Sequence, residues 1–177
     1  MLMRPATRKL ALTSHIIASL GWMGAVAGFI VLDLTTVTSA DVPTLRAAYI
    51  GMDLVTAWAI VPLAFASLVS GIVMSLGTKW GLFRHWWVVL SLVLTVLATS
   101  VLLVQLPIIE HRAELAADPA TTDENLLGEG NLLLHSIGGT IVLLVITVLN
   151  VYKPRGLTKY GWRRQQAEAQ AANDAAR

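Results

Sequence analysis

The chain has 177 residues, of which 55% are hydrophobic and 14% are charged, with a mean hydropathy of +0.66. This composition is more apolar than that of soluble domains and predicts one membrane-embedded domain. The net charge of +2 does not indicate nucleic-acid binding, because the basic residues flank apolar runs. The absence of cysteine excludes disulfides, thiolate metal sites, iron–sulfur clusters and cysteine nucleophiles.

Four long apolar runs predict membrane-spanning helices at about residues 10–32, 50–76, 86–109 and 132–151. A helix rises about 1.5 Å per residue, so each run can cross roughly 30 Å of hydrocarbon. The runs lack the alternation of a membrane β-barrel. The sequence therefore predicts an all-α fold, with a four-helix transmembrane bundle at 1–155 and a tail at 156–177 that is a frayed helix or disordered.

The first run begins after a basic flank, and Thr38-Ser39-Ala40 resembles a signal-peptide processing site. The apolar region of a signal peptide has roughly 7–15 residues, so we interpret the longer run at 10–32 as a transmembrane helix. Pro62 is expected to kink the second helix, because it removes an amide and clashes with the preceding turn. The acidic segment from Glu110 to Gly130 is predicted to be an outer loop.

The basic residues are distributed unevenly between the two ends of the spans. Eleven of 13 lie on the side of the two termini, and only Arg46 and Arg112 lie on the other side, together with most of the acids. Cytoplasmic loops of membrane proteins are enriched in Lys and Arg. We therefore expect a multi-pass protein of the bacterial inner membrane with both termini in the cytoplasm.

Small residues on the predicted helices offer surfaces for close packing. Gly24 and Gly28 form a GxxxG pair in the first helix, and Gly138 and Gly139 are adjacent in the fourth. Such residues let helix backbones approach each other within the lipid bilayer. The sequence leaves open whether these faces pack the four helices together or form a homo-oligomer.

The four histidines fall at two depths of the predicted bundle. His15 and His85 lie toward the cytoplasmic side, and His111 and His135 toward the outer side. Each level combines histidines from two helices, as bis-imidazole ligation of a b-type haem requires. Gly138 and Gly139, three and four residues after His135, share its helix face and leave room for a flat porphyrin. The alternative interpretation is that these histidines only hydrogen-bond neighbouring helices or lie at the membrane surface.

Copper or another metal is the alternative cofactor. Histidine nitrogens and methionine sulfurs are ligands that suit copper. On the outer side His111, His135 and Asp53 form a candidate metal site, although an ion pair with Arg46 or Arg112 is the favoured interpretation of Asp53. The candidate soft ligands are Met23, Met52 and Met74.

Short motifs in two helices resemble known families. The first helix has His15 followed seven positions later by Trp22 and then a small residue, and this resembles the four-span HemJ-type protoporphyrinogen oxidases and the copper-resistance D membrane proteins. The stretches at 79–87 and 150–156 are similar to an uncharacterised family of four-span membrane proteins common in actinobacteria. This resemblance implies a four-helix bundle and a haem ligand at His15.

The resemblance does not extend to porphyrinogen oxidase activity. The HemJ-type enzymes pair the histidine with a lysine of the third helix, where this chain has Ser91. Motifs of soluble enzymes such as GxSxG, the Walker sequence and HExxH are absent. Three functions therefore remain: a haem-binding protein for electron transfer or porphyrin handling, a metal-handling or transport protein, and a non-catalytic membrane subunit.

Overall fold

The computed structural model describes residues 3–78 and 80–177; Lys79, one of the basic residues counted above, lies outside them. A π-helical turn, Thr56–Ile60, joins α2 to α3 in one continuous helix. All regular elements of the described residues are helical, which confirms the all-α prediction. The helices are α1 (Pro5–Thr38), α2 (Val42–Val55), α3 (Val61–Gly77), α4 (Trp86–Ala117), α5 (Asp123–Gly128), α6 (Leu133–Tyr152) and α7 (Lys159–Ala175).

Among the described residues, four helical segments are long and apolar enough to cross a membrane: α1, α2 joined to α3, α4, and α6. They form the expected four-helix bundle. The 34 residues of α1 measure about 51 Å, which exceeds the roughly 30 Å of a hydrocarbon core. The longer helices therefore extend beyond the hydrocarbon layer.

Both termini lie at the same end of the bundle, which we call the terminal end. The Met3 amide donates a hydrogen bond to the Gly77 carbonyl (3.0 Å), and the Thr158 amide donates to the Arg84 carbonyl (3.0 Å). The opposite end contains a buried carboxylate, Asp33, and we call it the Asp33 end.

At the Asp33 end the helices extend further than predicted. Helix α1 continues to Thr38, α2 begins at Val42, and α4 continues to Ala117, so much of the expected loop at 110–130 is helical and α5 lies within it. The reason is that these extensions bury apolar side chains at helical spacing against one another. The buried side chains include Leu45, Tyr49, Ile109, Ala113, Ala116 and Leu126.

The second span adapts to Pro62 through its π-helical turn. This turn ends at Ile60, two residues before the proline, and the Val61 amide bonds the Thr56 carbonyl five residues earlier. The wider turn thus precedes Pro62, which lies inside this continuous helix and has no amide to donate. The start of α2 is fixed by Asp41, whose carboxylate accepts hydrogen bonds from the Thr44 hydroxyl and amide. These bonds lower the pKa of the Asp41 carboxyl.

The glycines of α1 differ in their surroundings. A Cβ on Gly21 would lie 3.3 Å from Leu63 of α3, so Gly21 serves the packing of these two helices. Gly24 and Gly28 are exposed, and a Cβ on either would meet no atom within 4 Å. The GxxxG pair therefore does not pack helices within the chain, and its role in a homo-oligomer stays a prediction.

The tail forms a helix that contacts the end of the bundle. Thr158 caps α7 by accepting the Gly161 amide, and its hydroxyl donates to the Phe83 carbonyl. A Cβ on Gly161 would overlap the Arg84 carbonyl oxygen. Arg84 also pairs with Glu168 of α7 (3.0 Å). The first turns of α7 are thus attached to the α3–α4 connection.

Candidate functional site

A cavity of about 430 Å³ lies between α1, α3, α4 and α6 in the terminal half of the bundle. Its wall is mostly apolar, but every one of the four helices contributes polar side chains to it. A mostly apolar cavity of this size with a few convergent polar groups is typical of a small-molecule site. The polar side chains include His15, Ser19, Ser67, Ser91, Thr95 and Asn150.

The His15 ring is held in one orientation by α3. Its Nδ1 lies 2.9 Å from the Ser70 hydroxyl oxygen, and that oxygen lies 2.6 Å from the Ala66 carbonyl. Because a carbonyl only accepts, the Ser70 hydroxyl donates to Ala66 and accepts from His15. This assigns the proton to Nδ1 and leaves the Nε2 lone pair of a neutral ring available.

Gly71 provides the space for this ring. A Cβ at position 71 would lie 3.2 Å from Cε1 of His15, closer than ordinary van der Waals contact. One turn before, the Ser67 hydroxyl is hydrogen-bonded to that of Ser19 (2.8 Å). The α1–α3 contact therefore combines a glycine and paired hydroxyls around the histidine.

Ser91 of α4 lines the same cavity as His15 and is buried. Its hydroxyl accepts a hydrogen bond from Nδ2 of Asn150 (3.4 Å), which also donates to the Ile146 carbonyl (2.8 Å). The cavity here has a short neutral side chain at position 91.

His85 does not face His15. It precedes the first residue of α4, its Nδ1 lies 2.6 Å from the Trp80 carbonyl, and its ring packs edge-on against Trp80 at 5.2 Å. It lines a groove between the α3–α4 connection and α7, and it is not among the residues of the His15 cavity. The structure therefore does not bring the two predicted histidines of this level to one cavity.

The other two histidines also lie apart. His135 is largely exposed and lines a second cavity of about 340 Å³. Gly138 and Gly139, the glycines that were expected to leave room for a porphyrin, line the same cavity. His111 is exposed and lines neither this cavity nor that of His15. Asp53 is half-buried on α2. Within the described residues, no three histidine or acidic side chains form a group that could hold a metal ion.

The two arginines proposed as partners of Asp53 bind elsewhere. Arg46 donates to the carbonyls of Ala116, Asp118 and Thr121 and lies 4.0 Å from the carboxylate of Asp123. Nε of Arg112 lies 3.4 Å from Oε2 of Glu129. Both arginines therefore tie α2 and α4 to the α4–α6 connection.

Asp33 has a structural role that the sequence pattern did not indicate. Its side chain is 0% exposed, and its two oxygens accept the Leu132 amide (3.0 Å) and the Ser136 hydroxyl (3.2 Å). A carboxylate at a helix amino terminus satisfies free amides and interacts favourably with the helix dipole. Asp33 of α1 thus caps α6 from another helix, and the only sequence signal of this is its position directly after the predicted run at 10–32.

No family model, curated protein or solved structure matches the chain. The role of the chain is therefore inferred from the geometry of its own fold and sites. In the described part of the chain, four apolar helical segments are long enough to cross a bilayer, and a mostly apolar cavity that contains His15 lies between them. The chain is an integral membrane protein.

Proposed function

We propose that the chain binds a b-type haem or a related porphyrin in the cavity around His15, with Nε2 of His15 as the axial ligand. The observation that most supports this is the Nδ1–Ser70 hydrogen bond, which leaves Nε2 unprotonated. Histidine ligands commonly donate their other ring N–H to an acceptor in this way, which fixes the tautomer and increases the basicity of the ligand.

The residues around His15 fit a porphyrin in size and chemistry. The volume of about 430 Å³ lies within the range of cofactor sites, and most of the wall is apolar. Gly71 lets the ring lie against α3, and Ser91 with Asn150 provides hydrogen-bonding groups on α4 and α6. A bound haem would supply one-electron or oxygen chemistry tuned by this ligand and these polar groups.

Ligation by one histidine is favoured over ligation by two. His85 does not line the cavity and is hydrogen-bonded to the Trp80 carbonyl, and His135 lines a different cavity. A haem held by His15 as its one histidine ligand would suit porphyrin handling better than bis-imidazole electron transfer. The neutral Ser91 argues against the oxidase reaction of the HemJ-type enzymes, since these have lysine there.

The test is the optical spectrum of the full chain reconstituted in phosphatidylcholine nanodiscs and titrated with haemin. We expect a shifted Soret band at one equivalent, and at least about tenfold weaker binding in His15→Ala because the ligand is lost. His111→Ala is the matched control, since this exposed histidine lines neither cavity. The proposal fails if no Soret shift occurs, or if His15→Ala binds haemin as the wild type does. Loss confined to His135→Ala would instead assign the cofactor to the second cavity.

We also propose that both termini face the cytoplasm of a bacterial inner membrane. The support is the excess of Lys and Arg at the terminal end, as the positive-inside rule requires. Because the chain has no cysteine, single cysteines can report the topology. In intact cells, a membrane-impermeant maleimide is expected to label Ala120→Cys and to label Ala171→Cys only after lysis. The reverse pattern would overturn the orientation.

A further inference from the structure

The His15 cavity continues into the groove at the terminal end. Thr78, Trp80, Trp87 and Lys153 line both spaces. The cavity wall is mainly apolar, whereas the groove lies between the α3–α4 connection and α7 and is bordered by arginines. The combined space therefore has an apolar part within the bundle and a basic part at its end.

Lys153 lies at the junction of these two parts. It is the residue that ends α6, and its backbone is left-handed, with φ of 46° and ψ of 62°. Glycine or asparagine adopts this conformation more readily, so the lysine is not explained by the backbone. Its ammonium lies 5.5 Å from the centroid of the Trp80 ring, within the range of a cation–π contact. The ring thus holds the charge beside the cavity.

Three arginines line the groove near Lys153; Arg155 lines the groove but not the cavity, and the other two have partners already. Arg84 and Arg164 both pair with Glu168, at 3.0 and 3.4 Å, and Arg164 also donates to the Tyr160 hydroxyl. Among the described residues, no carboxylate forms an ion pair with Lys153, which lines both the cavity and the groove. Its ammonium is exposed and available to an anion.

We propose that Lys153 binds the carboxylate of an amphipathic ligand whose apolar body lies in the His15 cavity. This rests on the proposed function, in which the ligand is a porphyrin and the carboxylate is one of its propionates. A charge-assisted bond at this position would fix which edge of the ligand faces the terminal end. Lys153 would therefore set the orientation and the specificity of binding, whereas His15 would provide the axial ligand.

The experiment uses the full chain in phosphatidylcholine nanodiscs and two metal-free probes, protoporphyrin IX and its dimethyl ester. Neither probe needs an axial ligand, so their fluorescence measures binding separately from ligation by His15. We expect Lys153→Gln to weaken protoporphyrin IX about fivefold, as is typical of a partly exposed ion pair, and to leave the ester unchanged. Lys159→Gln is the matched control, because Lys159 lies on α7 and lines neither the cavity nor the groove.

The outcomes separate this inference from the proposed function. If Lys153→Gln binds both probes as the wild type does, the role of Lys153 is overturned even where haemin ligation by His15 holds. If haemin binding is insensitive to His15→Ala but Lys153→Gln still discriminates acid from ester, axial ligation fails and the carboxylate site stands. If neither probe binds, the carboxylate site is overturned, and the haemin titration alone decides the proposed function. If phosphatidylglycerol in the discs displaces protoporphyrin IX from the wild type but not from Lys153→Gln, Lys153 binds lipid phosphate and the inference is overturned.

Discussion

Asp33→Ala is expected to lower the free energy of unfolding by about 2–3 kcal/mol, because the buried Leu132 amide at the start of α6 is left without an acceptor. The Leu132 amide would lose its acceptor in a place that water does not reach, since Asp33 is 0% exposed, whereas the Ser136 hydroxyl would keep only the Leu133 carbonyl at 3.3 Å. The packing of α1 against the start of α6 depends on the same two bonds. The measurement is reversible unfolding in mixed micelles of increasing dodecyl sulfate content, followed by circular dichroism.

Three further variants make this prediction specific. Asp33→Asn retains one acceptor for the Leu132 amide and should lose only about 1 kcal/mol. Ser136→Ala removes one donor together with its hydrogen bond and should also lose about 1 kcal/mol. Asp174→Ala, at an exposed position of α7, should change nothing measurable. A loss in Asp33→Ala no larger than that in Asp174→Ala would show that Asp33 does not cap α6.

The membrane spans were predictable because hydropathy and length depend on local sequence alone. The ends of α2 and α4 were not, because their extensions at the Asp33 end are stabilised by contacts between distant residues. Leu45 and Ala116 are buried there, yet both lie outside the predicted apolar runs, in segments whose composition does not distinguish them from loops. Arg46 shows the same limit, since its three carbonyl partners lie 70–75 residues away in the chain.

The candidate site was predictable only in part. His15 could be identified because an ionisable residue inside an apolar run is costly and therefore informative. Its relation to His85 could not, because depth along a helix does not specify the direction in which a side chain points. The partners of His15 had a weak signal: Ser67, Ser70 and Gly71 are spaced three and four residues apart, and so lie on one face of α3.

Gly71→Leu is expected to weaken haemin binding by about two orders of magnitude, more than loss of the His15 ligand alone. The leucine would both displace the His15 ring and fill part of the cavity. Even a Cβ at this position would lie 3.2 Å from Cε1 of His15, and the remaining atoms of leucine would extend toward the ring or into the cavity. The histidine would have to leave the Ser70 hydroxyl, so Nε2 would lose its fixed orientation. The measurement is haemin titration of the reconstituted chain by its Soret band.

A variant at a second glycine and a second probe distinguish loss of cavity space from loss of the His15 ligand. Gly24→Leu is the matched control, since a Cβ there would meet no atom within 4 Å, and it should bind haemin as the wild type does. Metal-free protoporphyrin IX needs no ligand, so His15→Ala should retain it, whereas Gly71→Leu should lose it because the cavity is filled. Equal binding of this probe by Gly71→Leu and the wild type would show that the porphyrin does not occupy the space beside His15.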